Sequence, residues 1–181
     1  MLWIVGSIVL LAGGYAVWGF NALVSDRNLV AQAFADVDVQ LKRRADLVPQ
    51  LVGIVKGYAA YERAALTGVT ELRRRLQAVA AGPSAQRFDL EEGLGGALQR
   101  LIALNEGYPA LKADSGFRDL ATRLVEVEDQ LQHARRFYNG AVNQYATRLQ
   151  RFPDLLIARL FAFRAAAFFE SDHRESIAVQ L

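Results

Sequence analysis

The chain has 181 residues, 21 Lys and Arg against 19 Asp and Glu, two His and no Cys. A net charge of +2 gives no reason for a polyanionic partner such as nucleic acid, and without Cys there is no disulfide framework, thiolate nucleophile or lipidated-Cys anchor. The length suits one domain with an accessory segment, and the hydrophobic content of 52% is high because of one local stretch.

That stretch is the N-terminus. Residues 1–25 contain no Asp, Glu, Lys, Arg or His, and the first charge is Asp26. At 1.5 Å rise per residue, Met1 to Val24 spans roughly 36 Å as a helix, enough for a hydrocarbon core of about 30 Å. Trp3 and Trp18 fall near its two ends, where indoles favour the membrane interface. A cleaved signal peptide requires a basic n-region and a small-x-small cleavage site, and neither is present; the segment reads as an uncleaved anchor. Arg27, Lys42, Arg43 and Arg44 follow it, so the positive-inside rule puts the N-terminus outside and the rest of the chain in the cytoplasm.

Beyond the anchor the pattern is helical throughout. Phe20, Leu23, Val30, Phe34, Val37 and Leu41 recur three and four apart, the mark of a helix with one buried stripe. Asp46-Leu47-Val48-Pro49 reads as a boundary, with Asp46 capping a new helix and Pro49 in its first turn, where N–H groups lack intrahelical partners. The second helix is expected from Val48 to Val79, ended by Gly82-Pro83-Ser84. A third is expected from about Leu90 to Tyr108, stopped by Pro109. Asp114-Ser115-Gly116 is a loop with a capping residue. Phe117 to Phe152 then keep an apolar period of about 3.5, which favours shallow, coiled-coil-like crossings. A short helix from Asp154 to about Arg164 follows, and residues 171–181 form a tail. Nothing alternates with period two. The expected fold is therefore all-α: a transmembrane anchor (1–24) continuing into an antiparallel, four-helix-bundle-like domain (25–170) with a short C-terminal helix.

Several blocks resemble the LemA family. They are Phe20-Asn21-Ala22-Leu23-Val24; Asp38-Val39-Gln40-Leu41-Lys42-Arg43-Arg44 with Asp46-Leu47-Val48-Pro49 and Val55-Lys56-Gly57-Tyr58; Tyr108-Pro109 with Leu111-Lys112-Ala113; and Tyr138-Asn139, Phe152-Pro153 and Phe168-Phe169-Glu170. Ala45 and Tyr61 stand where that family often carries His. The resemblance implies a membrane anchor and a cytoplasmic helical bundle. It implies no reaction and no cofactor.

The residues agree on the chemistry. There is no Walker A loop, dinucleotide-binding turn, nucleophile elbow or His-Glu-x-x-His. Glu170-x-x-His173 has the spacing used in carboxylate-bridged metal bundles, but such sites need two such motifs and further Glu residues; no metal and no catalytic residue are expected. Arg27 and Glu62 fall on inward stripes, and with a turn near residue 46 they lie at similar height. A buried charge without a partner is expensive, so they are expected to pair or to face one polar cavity, with Glu128 beside them. The same geometry returns Arg73, Arg74 and Arg75 to headgroup level if the first helix runs straight from the anchor, where a basic residue gains about 1 kcal/mol against anionic lipid, or leaves them on a solvated helix face if it bends near Gly19; it puts Lys42, Arg43 and Arg44 at the far tip, solvated or touching a partner. The Phe161, Phe163, Phe168 and Phe169 cluster, interleaved with Arg159 and Arg164, has the look of a membrane surface, but is expected first to close a groove of the bundle.

The reading that results is a single-pass protein of the bacterial inner membrane, non-enzymatic, offering its bundle to a protein partner. Two alternatives stand beside it. One is a sensor holding a small ligand or ion in the polar cavity. The other is a membrane-shaping protein that forms homo-oligomers through its anchor and Phe-rich end.

Overall fold

The computed structural model describes residues 1–59 and 61–169. All regular structure among them is helical: α1 (Leu2–Tyr58), α2 (Arg63–Ala78), α3 (Ala85–Ala103, continued by a short 3₁₀ turn), α4 (Pro109–Ala113), α5 (Ser115–Gln150) and α6 (Asp154–Leu160). Of the boundaries expected above, Glu170 and residues 171–181 lie outside the described residues.

The main difference from expectation is at Pro49. No turn occurs near residue 46; α1 runs through Pro49 for 57 residues, roughly 85 Å. A proline inside a helix costs about 3 kcal/mol. Against that, Val48, Leu51, Val55 and Ala59 are all buried and continue the stripe of Val37 and Leu41, and full burial of one large aliphatic side chain gains about 1.5–3 kcal/mol. Packing outweighs the local penalty, and Pro49 points to solvent. The chain turns instead at residues 59–62, so the second helix begins at Arg63, fifteen positions later than expected from Val48.

The other boundaries are closer. Ser84 caps α3, its side chain accepting from Arg87 N at 3.3 Å, a turn earlier than Leu90. Asp114 caps α5 as expected, accepting from Phe117 N at 2.8 Å. α6 stops at Leu160, short of Arg164, because Ala162 enters the left-handed region (φ 53°). Phe163 N then donates to Ala158 O at 2.9 Å and Ala162 N to Arg159 O at 3.3 Å, the bond pattern of a Schellman stop.

The bundle is organised around α1. α5 runs antiparallel along it, shown by Asp26 against Arg148, Arg44 against Glu128 and Tyr58 against Asp114. α3 runs in the direction of α1, with Asp38 meeting Arg87 and Arg44 meeting Glu91. α2 returns beside α3, where Leu72 lies against Gly93 and Glu62 accepts from Tyr108. The half farther from the N-terminus is thus a four-helix section, closed over Val48, Leu51, Val55, Val69, Leu94, Leu98 and Phe117.

The nearer half has only α1 and α5 at full length. Its core of Leu23, Val30, Val37, Leu131, Tyr138, Val142 and Tyr145 is completed by α6, by Phe88 and by the non-helical residues 163–169. Asn139 pairs with Phe169 on both sides, Nδ2 donating to its carbonyl at 2.8 Å and Oδ1 accepting from its N–H at 2.9 Å. Tyr138 donates to Ala167 O at 2.7 Å, and the Phe169 ring stacks on Phe88 at 4.1 Å. This segment replaces a missing helix.

Candidate functional site: an ionic layer between two cores

Three helices send charge into the plane that separates the two apolar cores: Asp38 and Arg44 from α1, Arg87 and Glu91 from α3, Glu128 and Arg135 from α5. Arg44 is 1% exposed and Glu91 5%. The Arg44 position is dictated by the stripe, since it falls three after Leu41 and four before Val48. Its Nη2 donates to Glu91 Oε2 and to the Glu91 carbonyl, both at 2.7 Å, and its Nη1 donates to Glu128 Oε2 at 3.2 Å. Gly95 makes room for the guanidinium: a Cβ there would stand 3.0 Å from Arg44 Nη1.

The layer extends to both sides. Arg87 donates to Asp38 Oδ1, and Lys42 bridges to Asp38 Oδ2 at 2.9 Å. Burial works against the Asp38 carboxylate, yet hydrogen bonds from Lys42 and Arg87 outweigh it and hold the group below its ordinary value. Arg135 lies 4.2 Å above the Phe169 ring and 4.0 Å from Glu128; burial and then the nearby Arg44 push it downward. Three guanidinium groups thus face three carboxylates, so the charges of the layer are balanced. It brings together no nucleophile and base, and among the described residues no three His, Cys, Asp or Glu gather as a metal site. Glu170-x-x-His173 lies outside the described residues.

The expected polar residues are distributed differently. Arg27 and Glu62 do not meet. Arg27 is exposed, its guanidinium 5.6 Å from the Phe163 ring, while Glu62 follows the end of α1 and accepts from Tyr108 at 3.0 Å. With α1 unbroken, the 31 residues from Arg27 to Tyr58 hold them roughly 45 Å apart. Glu128 faces Arg44. Of Lys42, Arg43 and Arg44, the first two are exposed, with Arg43 reaching Gln130 at 3.4 Å, but Arg44 is neither solvated nor at a tip. Arg73, Arg74 and Arg75 do not return to the anchor. α2 is short, and Leu72 beside Gly93 puts them level with Arg44, roughly 36 Å along α1 from Phe20. Arg74 pairs there with Glu71 at 2.7 Å.

Asp26, Asp38, Arg87, Glu91 and Arg135 were given no part in a polar site by the sequence. Asp26 is 5% exposed and is bound by Gln144 at 2.8 Å and by Arg148. The signal for the layer was the three-four spacing at Arg44, hidden by the supposed turn two residues later.

The comparisons with known proteins follow this architecture. The family model described as LemA family matches residues 33–181. The chain belongs to the LemA family. Among its relatives are the magnetosome proteins MamQ 1 and MamQ 2 of Paramagnetospirillum magneticum, each 24% identical over 83% of this chain and 64% of the relative. Protein LemA of Metamycoplasma hominis is 22% identical over 88% of this chain and 72% of its own length. The chain therefore spans under two thirds of the length of the MamQ proteins it matches.

Proposed function

We propose that this LemA-family chain is a single-pass, non-enzymatic membrane protein: residues 1–24 cross the bacterial inner membrane, residues 25–170 form a bundle that serves as an interaction scaffold on the cytoplasmic side, and residues 171–181 are a tail. The observation that carries the proposal is the continuity of α1. One end is long and apolar enough to cross a membrane, and only 6% of that apolar window is buried in the protein, which a core helix would not tolerate. The other end is the central helix of the bundle. A helix continuous from bilayer to tip fixes the height and orientation of everything packed on it.

The exposed side chains of Lys42, Arg43, Arg74 and Arg75 are offered to a protein partner, and the buried layer around Arg44 fixes helix register so that those faces keep their positions. A ligand sensor built on Arg27 and Glu62 has little support, since those residues lie at opposite ends of the bundle.

The absence of Cys makes the test direct. A single Lys112→Cys substitution labels the far end of the bundle. The protein should stay in the membrane after carbonate washing, and an impermeant maleimide should reach position 112 only once cells are opened. Release by carbonate, or labelling in intact cells, contradicts the anchor or its orientation. Photocrosslinkers at Arg43 and Arg75 should trap a discrete protein; failure at both removes the scaffold role.

A further inference from the structure

The end of the bundle nearest the apolar stretch holds a cleft of about 470 Å³, lined by Phe20, Val24 and Arg27 of α1, Tyr145 of α5, and residues 161–164. Three features of it converge on one kind of ligand.

The first is charge. Arg27 and Arg164 both line the cleft and are exposed, and among the described residues neither has a carboxylate partner. The buried or half-buried Arg44, Arg87 and Arg148, by contrast, each face a carboxylate. Two guanidiniums over one cleft, without a carboxylate partner among the described residues, attract an anion, and the guanidinium fork suits phosphate oxygens. The second is Tyr145. It is 2% exposed, and its hydroxyl has no hydrogen-bond partner among the described residues. A buried hydroxyl without a partner is costly, and Tyr145 is among the residues that line the cleft.

The third is position. Val24 and Arg27 flank the point where the uncharged stretch ends. One to three turns nearer the N-terminus, α6 is fastened to the anchor, with Tyr15 donating to Asp154 at 2.9 Å and Ile157 seated on Gly19. Around this end Trp18, Phe152, Leu156, Leu160 and Phe161 are exposed. Apolar side chains beside a cationic cleft form an amphipathic surface of the kind that sits at the headgroup–acyl boundary.

We propose that the cleft formed by Arg27, Tyr145 and Arg164 binds the phosphate headgroup of an acidic phospholipid from the leaflet that α1 leaves, with the exposed apolar side chains of α6 and the following turn resting against its acyl chains. This rests on the anchored reading above. The lipid thereby seats the base of the bundle on the bilayer.

The test is native mass spectrometry of the full chain in neutral detergent, with phosphatidylglycerol and phosphatidylcholine of identical acyl chains. Phosphatidylglycerol should be retained preferentially. Each arginine near an anionic headgroup is expected to contribute about fivefold at low salt, so Arg27→Gln with Arg164→Gln should abolish the preference, a loss of roughly twenty-five-fold. Arg118→Gln, exposed at the far end of the bundle, should leave it intact. Tyr145→Phe should weaken retention without altering helix content. If the double variant does not fold, Arg164→Gln alone, on the segment after α6, should lose its fivefold share. Equal retention of the two lipids, or a folded double variant that keeps the preference, overturns the proposal. Binding of inorganic phosphate as tight as that of the lipid overturns the lipid as occupant. Because the assay is run in detergent, it is independent of carbonate release, and each can fail without the other.

Discussion

Arg44 Nη2 lies 2.7 Å from Glu91 Oε2, and the pair is sealed between the two apolar cores of the bundle. Removing one partner leaves an uncompensated buried charge, at a cost of about 3–5 kcal/mol. Glu91→Ala should therefore lower the melting temperature on the order of 10 °C for a chain of this size. Arg44→Met with Glu91→Leu removes both charges and leaves Arg87 and Arg135 balanced by Asp38 and Glu128. That double variant should retain or exceed the parental melting temperature in detergent, followed by circular dichroism. A double variant as unstable as Glu91→Ala would show that the pair is worth more than its register role.

Pro49 gives a second test. It lies exposed inside α1, without an N–H for the helix. Pro49→Ala restores that donor and a residue about 3 kcal/mol more favourable in a helix interior, so stability should rise by about 1–3 kcal/mol. A fall in melting temperature would mean that Pro49 is serving a turn.

Gly19 is where the anchor accepts the bundle. A Cβ there would stand 2.6 Å from Ile157 Cδ1 and 3.1 Å from Asp154 Oδ1. Gly19→Leu should lift α6 off α1, costing about 1–3 kcal/mol and accelerating amide exchange across residues 155–160. Gly14, which has nothing within 4 Å, is the control: Gly14→Leu should change neither. Unaltered exchange in the Gly19 variant would contradict the contact.

Acid should act through Asp38. Its folded-state carboxyl is held below the ordinary aspartate value of 3.8 by Lys42 and Arg87, against the effect of burial. A depressed pKa means that its contribution is fully present above 3.8 and is lost as pH falls through the lower folded value. Asp114, held down by the Phe117 N–H and by Tyr58, acts in the same sense. Melting temperature should be flat from neutrality to about pH 5 and decline below about pH 4. Asp38→Asn should lower the plateau and make that decline shallower; an unchanged slope would remove Asp38 from the account.

What was legible in the sequence follows from how local each cause is. The capping of α5 by Asp114 and the stripe from Phe117 to Tyr145 are properties of adjacent turns, and they were read closely. Pro49 was misread because its penalty is local, whereas the burial of Leu51 and Val55 that overrides it depends on α3 and α5. The misplaced turn then carried three further errors: Arg27 beside Glu62, Arg73–Arg75 near the bilayer, and Arg44 at a tip. Of residues 163–169, the closing of a bundle groove by Phe163 and Phe169 was legible; their non-helical path was not. They have no periodicity, and their place is set by Asn139 and Phe88, far away in sequence.

The central claim is that one unbroken helix joins anchor and bundle. Spin labels at Val17→Cys and Lys56→Cys, on an otherwise cysteine-free chain in liposomes, measure it by pulsed electron–electron resonance. Thirty-nine residues of continuous helix predict a narrow distance distribution near roughly 58 Å. A distribution centred near roughly 30 Å, as a turn at residue 46 would give, or one broadened by a joint at Gly19, would contradict the account.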